Sequence, residues 1–126
     1  MVSTVFHVAV GGAAGAALRY LTGLAVLRRF GHHDFPVAII TVNVIGSFLM
    51  GVFVVLAAQR GLTQYSPLVM TGFLGGFTTF SAFSLETVTL IERGAHGQAA
   101  LYVLLSVLLS VGGLLLGLWA ARGVFA

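Results

Sequence analysis

The chain has no cysteine and no lysine, two prolines, and charged side chains at only 7% of its 126 residues. Without cysteine there is no disulfide, no thiolate metal site and no thiol nucleophile. Soluble domains run to about a quarter charged residues, and a core this small cannot hide the apolar surface of a chain that is 59% hydrophobic. A soluble domain is thereby excluded, and the class is an all-α integral membrane protein forming one compact bundle. All six basic side chains are arginines, and they are scattered, which speaks against a nucleic-acid surface despite the net charge of +3. The N-terminus lacks a positively charged n-region, so the first apolar stretch is expected to belong to the mature protein rather than to a signal peptide.

What is present is long apolar runs. A spanning helix needs about 20 mostly apolar residues, and four stretches qualify: 5–27, 37–58, 67–91 and 99–121, a single membrane domain over 1–126. Between the first two lie Arg28, Arg29, His32, His33 and Asp34, with Pro36 suited to the opening turn of the second helix. Gln59-Arg60-Gly61 breaks the second, Ser66-Pro67 caps and opens the third, and Glu92–Gly97 turns into the fourth. The arginines outside the spans divide three to two: Arg28, Arg29 and Arg93 on one side, Arg60 and Arg122 on the other. So small a bias scarcely selects an orientation. Both orientations are therefore expected, and two opposed copies can pair about an axis in the membrane plane. Small-residue pairs at Gly11/Gly15, Gly72/Gly76 and Gly113/Gly117 predict closely packed helices.

The stretch from Gly72 to Thr87 concentrates the unusual chemistry. Gly75, Gly76, Thr78 and Thr79 weaken the helix near the middle of the third span, predicting a break. Irregular backbone at membrane depth is tolerated only inside protein or along a cavity, and freed carbonyls there suit a hard cation such as Na⁺. Phe80 and Phe83 share a helix face. They either pack against neighbours and lipid, or turn their partly positive edges toward a small anion. Glu86, the one acid at membrane depth, reads as a partner for an arginine or a helix end rather than a proton carrier. Arg19, inside the first span, reaches the interface, pairs with Glu86, or draws anions into a vestibule. Asn43 in the second span is either interhelical glue or a pore donor. Tyr102, Ser106 and Ser110 recur every four residues on one face of the fourth span. A lone membrane serine bonds back to its own helix, but three hydroxyls in line favour a hydrophilic track. Gly11-Gly12-x-x-Gly15 faintly imitates a dinucleotide fingerprint, but that motif requires a βαβ unit that apolar spans cannot supply.

Gly72-Phe-Leu-Gly-Gly-Phe-Thr-Thr-Phe-Ser-Ala-Phe-Ser-Leu-Glu-Thr87 closely resembles the signature of the Fluc (CrcB-type) fluoride channels. Gly11-Gly-x-x-Gly-x-x-x-Arg19, Thr41-Val-Asn43-x-x-Gly46 and Tyr102-x-x-x-Ser106-x-x-x-Ser110 agree with it, so the resemblance covers essentially the whole chain. It implies a passive exporter of cytoplasmic F⁻ in the cell inner membrane, built as an antiparallel dual-topology homodimer with two pores and a central structural Na⁺. By the same resemblance Phe80, Phe83, Asn43, Thr79, Tyr102, Ser106 and Ser110 would line the pore, Arg19 and Glu86 would be vestibule or structural charges, and the carbonyls of Gly75 and Thr78 would hold Na⁺. Phe77 departs from a commoner Leu without touching these roles. Two rival readings remain at this level. A proton-coupled exporter of the small multidrug type needs an exchangeable carboxylate in its cavity, with Glu86 the sole candidate; a pore-less assembly subunit leaves the hydroxyl stripe unexplained.

Overall fold

A computed structural model describes residues 1–31 and 35–125. Apolar continuity builds helices α1 (Val2–Phe30), α2 (Val37–Arg60) and α5 (His96–Phe125). The third span divides. A π-helical segment, Pro67–Leu74, runs into one α-helical turn, Gly75–Phe77; together these make α3 (67–77), followed by α4 (Phe80–Glu92). Among the described residues four helical stretches are long and apolar enough to cross a membrane, the third being Thr63–Glu92 as a whole. The expected spans and the broken third helix are therefore present.

The ends differ from the sequence expectations by short distances, for local reasons. Arg28 and Arg29 are not in a loop but in the last turn of α1, where cations complement the helix dipole. His32, His33 and Asp34 lie outside the described residues. Pro36 is the residue before α2 rather than within its first turn, with ψ at 74°, outside the helical range. Gln59 and Arg60 stay helical; the stop is Gly61, whose left-handed φ of 66° costs glycine nothing. His96 and Gly97 already belong to α5, so the turn before it is only Arg93–Ala95, with Gly94 at φ 78°.

Packing follows the small residues. α1 lies on α3, while α5 lies on α2 and α4, and α1 and α5 do not meet. A methyl group built on Gly15 would overlap the Phe73 carbonyl and approach the Phe77 nitrogen to 2.9 Å. Reciprocally, one on Gly72 would come within 2.8 Å of the Val8 carbonyl. The Gly113/Gly117 pair serves the other seam: at Gly117 a methyl would overlap the Phe48 carbonyl of α2. In lipid, where apolar side chains gain nothing by leaving the solvent, such backbone approach is what holds helices together. The outward faces carry Leu104, Leu108, Leu115 and Trp119, all exposed. The buried core, around Leu90, Ala99 and fully enclosed Tyr102, sits between α4 and α5 beside the start of α2.

Candidate functional site

The site begins at the break. Thr78 and Thr79 are both extended, at φ/ψ of −86°/159° and −150°/117°. The last hydrogen bond of α3 runs from the Thr78 N–H to the Leu74 carbonyl, 3.0 Å, and the Thr78 hydroxyl donates to the same carbonyl at 2.9 Å. The Thr79 N–H turns away from its own helix and donates to Asn43 Oδ1 at 2.8 Å. Asn43 Nδ2 returns a bond to the Thr79 carbonyl at 3.2 Å. One carboxamide thus satisfies the Thr79 N–H, which no helix satisfies, and adds a bond to the Thr79 carbonyl, which as N-cap also accepts the first bond of α4. Thr79 in turn starts α4, its hydroxyl accepting the Ala82 N–H at 3.1 Å as an N-cap.

Carbonyls from Gly75 onward are left without a donor from the main chain. Arg19 takes one of them: its Nε donates to the Gly76 carbonyl at 3.0 Å. Of the alternatives for this arginine, the structure assigns it to the break rather than to Glu86. Gly75, by contrast, is exposed on the surface of the single chain. Among the described residues no group of His, Asp or Glu side chains could hold a metal ion. A cation here would use uncharged oxygen, and the carbonyls of Gly75 and Thr78, free of helical donors, have the hard-ligand chemistry that suits Na⁺.

Beside the break runs a groove of about 380 Å³. It brings together Asn43, Thr78, Thr79, Phe80, Phe83, Ser106 and Ser110 from three spans. Tyr102 lies behind Phe83, their ring centroids 5.3 Å apart and tilted by 33°, and Phe83 meets Phe80 at 5.4 Å. Phe80 remains 78% exposed although it borders the groove, so one chain does not enclose it. Of the expected site residues, Tyr102, Arg19, Gly75 and Glu86 do not line the groove of the single chain; Glu86 is half-buried on α4. The lining contains no formally charged side chain.

Two sets of hydroxyls contrast. Thr41, Thr78, Ser84, Thr87 and Thr89 each donate to the carbonyl four residues back. The hydroxyls of Tyr102, Ser106 and Ser110 are buried and bond to no main-chain carbonyl; Tyr102 and Ser106 have only each other nearby, without a well-formed bond, and Ser110 has no partner. A buried polar group without a partner costs about 1–3 kcal/mol, and such groups mark places where water, an ion or a ligand belongs. The self-bonded alternative for this stripe is therefore not what the structure shows. Sequence reading left Ser47, Gly46 and Met50 without a role, yet all three border the groove. For Ser47 the signal was available, since it follows Asn43 by one helical turn and so shares its face.

A family model described as "CrcB-like protein, Camphor Resistance (CrcB)" matches residues 6–118. A protein from Ruegeria sp. (strain TM1040), named fluoride-specific ion channel FluC, is 65% identical over 124 residues, covering 98% of each chain. One of the same name from Roseobacter denitrificans is 68% identical over 119 residues, 94% of each. Another, from Jannaschia sp. (strain CCS1), is 74% identical over 105 residues, which is 80% of this chain and all of that one.

Proposed function

The chain belongs to the CrcB-like family, and from that premise we propose that it is a fluoride-selective channel of the membrane. It is a multi-pass membrane protein and not an enzyme, so its site residues bind and guide an ion rather than catalyse a reaction.

The observation that carries the reading is the line of buried hydroxyls at Tyr102, Ser106 and Ser110, none bonded to a main-chain carbonyl, beside a groove without fixed charge. Fluoride is small and holds its water tightly, so a pore must replace that water with donors. Hydroxyls can rotate to donate, and the Asn43 amide keeps a second N–H beyond the one given to Thr79. The edges of Phe80 and Phe83 add weak positive potential. None of these is a fixed cation, so the ion is held strongly enough to enter and weakly enough to leave. Arg19, outside the groove lining and committed to the Gly76 carbonyl, contributes field without becoming a trap.

The finer architecture belongs to the same proposal: an antiparallel homodimer in the inner membrane, with two pores, passive export of F⁻ and a central structural Na⁺. Its supports are the near-balanced arginines, the open flank at Phe80 and the exposed Gly75. Gly75 and Thr78 from two copies would hold the cation by their carbonyls. Bound there, Na⁺ would offset the convergent carbonyl dipoles at the dimer axis. A proton-coupled carrier would need an acid in the groove, and the lining contains none.

Fluoride efflux from proteoliposomes, with chloride as the parallel ion, is the test. Fluoride is expected to leave rapidly while chloride is retained. Chloride passing as readily as fluoride, or no flux of either, defeats the reading.

A further inference from the structure

Tyr102 stands at the end of the hydroxyl line nearest the Arg93–Ala95 turn, and its ring has two aromatic neighbours. Phe83 belongs to the groove. The other is Phe35, from the short stretch before α2, with centroids 5.6 Å apart and the planes at 89°, an edge-to-face pair. The Phe35 carbonyl accepts the Val37 N–H at 2.9 Å, tying the residue to the start of α2. Its side chain packs against the buried cluster of Leu90, Ala99 and Tyr102. Neither Phe35 nor Tyr102 borders the groove, so Phe35 connects to the site through Tyr102 and the groove-lining Phe83.

Tyr102 is 0% exposed, and a ring so enclosed turns only if its neighbours move. Its hydroxyl faces that of Ser106 without a well-formed hydrogen bond, so its aim depends on where the ring is held. The ring is held by the edge-to-face Phe35 and the tilted Phe83. We propose that Phe35 is a positioning residue of the pore: its ring holds the Tyr102 ring in the orientation that keeps the hydroxyl in line with Ser106 and Ser110. The proposal rests on the channel reading and extends it to a residue outside the groove. It also makes the segment before α2 part of the conduction machinery, since moving Phe35 would release Tyr102.

A double-mutant cycle read by fluoride efflux tests it. Phe35→Ala is expected to slow efflux about two- to ten-fold in the parent, the range that losing one edge-to-face pair corresponds to. In a Tyr102→Phe background, which keeps the ring and removes the hydroxyl, the same substitution is expected to have no further effect. Phe35→Tyr retains the edge-to-face ring and restores efflux. Phe35→Leu, which keeps most of the apolar volume, serves for the same cycle should Phe35→Ala fail to assemble by size-exclusion chromatography. Equal slowing in both backgrounds would reduce Phe35 to packing and overturn the inference, as would unchanged efflux in an assembled Phe35→Leu protein. Absence of fluoride efflux from the parent would instead remove the channel reading itself.

Discussion

At Thr79 the third span gives up the main-chain N–H bond that a continuous helix would supply; the Asn43 carboxamide restores it and also donates to the Thr79 carbonyl. Removing it leaves that N–H unpaired at membrane depth, at a cost of about 1–3 kcal/mol, and loses the second bond. Asn43→Ala is therefore expected to lower the thermal unfolding midpoint in detergent and to abolish fluoride efflux together. Asn43→Asp keeps the acceptor for the Thr79 N–H and loses the donor to its carbonyl, so its midpoint should fall between. Ser110 behaves oppositely. Its hydroxyl makes no hydrogen bond within the protein, so Ser110→Ala removes no internal bond. The folded protein is expected to be at least as stable as the parent while fluoride efflux slows, a split that unfolding and flux measurements read independently. The serine stripe was legible in the sequence because its members share one helix and a fixed spacing. The Asn43–Thr79 pair was not: its partners are 36 residues apart, and a lone amide is compatible with glue or pore. Here it is glue with one N–H to spare.

At the scale of elements, stability comes from glycine seams. Gly15 faces the Phe73 carbonyl with no room for a side chain, whereas Gly23, further along the same helix, has nothing within 4 Å. Gly15→Val should force α1 from α3 and cost about 1–3 kcal/mol, the range for overpacking. Gly23→Ala should be neutral or gain about 0.5–1 kcal/mol from helix propensity. Unfolding midpoints of the two variants check the contrast; equal effects would mean that propensity rather than backbone approach governs the helix. Hydropathy made the four spans plain, and glycine and threonine placed the weak point of the third. Helix ends were less legible. Arg28, Arg29, Gln59 and Arg60 remain helical because polar residues at a membrane surface can keep the backbone bonds of the last turn. The π-helical winding of Pro67–Leu74, the segment that seats against Gly11 and Gly15, also lay beyond the sequence, which carries no pattern specific to it.

For the whole molecule the open question is how many ways it sits in the membrane. Three arginines against two give almost no directional bias. Because the chain has no cysteine, a single one added at the N-terminus or the C-terminus reports location cleanly. Labelling of intact cells with an impermeant thiol reagent is expected to reach a fraction of each terminal variant. Complete labelling of both variants, or none of either, would mean a single orientation and would remove the antiparallel pairing. Glu86→Gln is a second whole-molecule test. Because Glu86 does not border the groove, efflux driven by a fluoride gradient should persist in this variant.

The two clamps on the break also bear on how the protein is made. Arg19 sits on α1 and Asn43 on α2, while the carbonyls and N–H they satisfy lie at Gly76 and Thr79. Both clamps therefore leave the ribosome before the segment that needs them. When the third span enters the lipid, partners for its irregular backbone are already in place, and the interrupted helix need not wait in hydrocarbon with its polar groups bare. Reversing that order of synthesis, as in a circularly permuted chain beginning at Pro67 with α3, would ask the bilayer to accept the break before its supports exist.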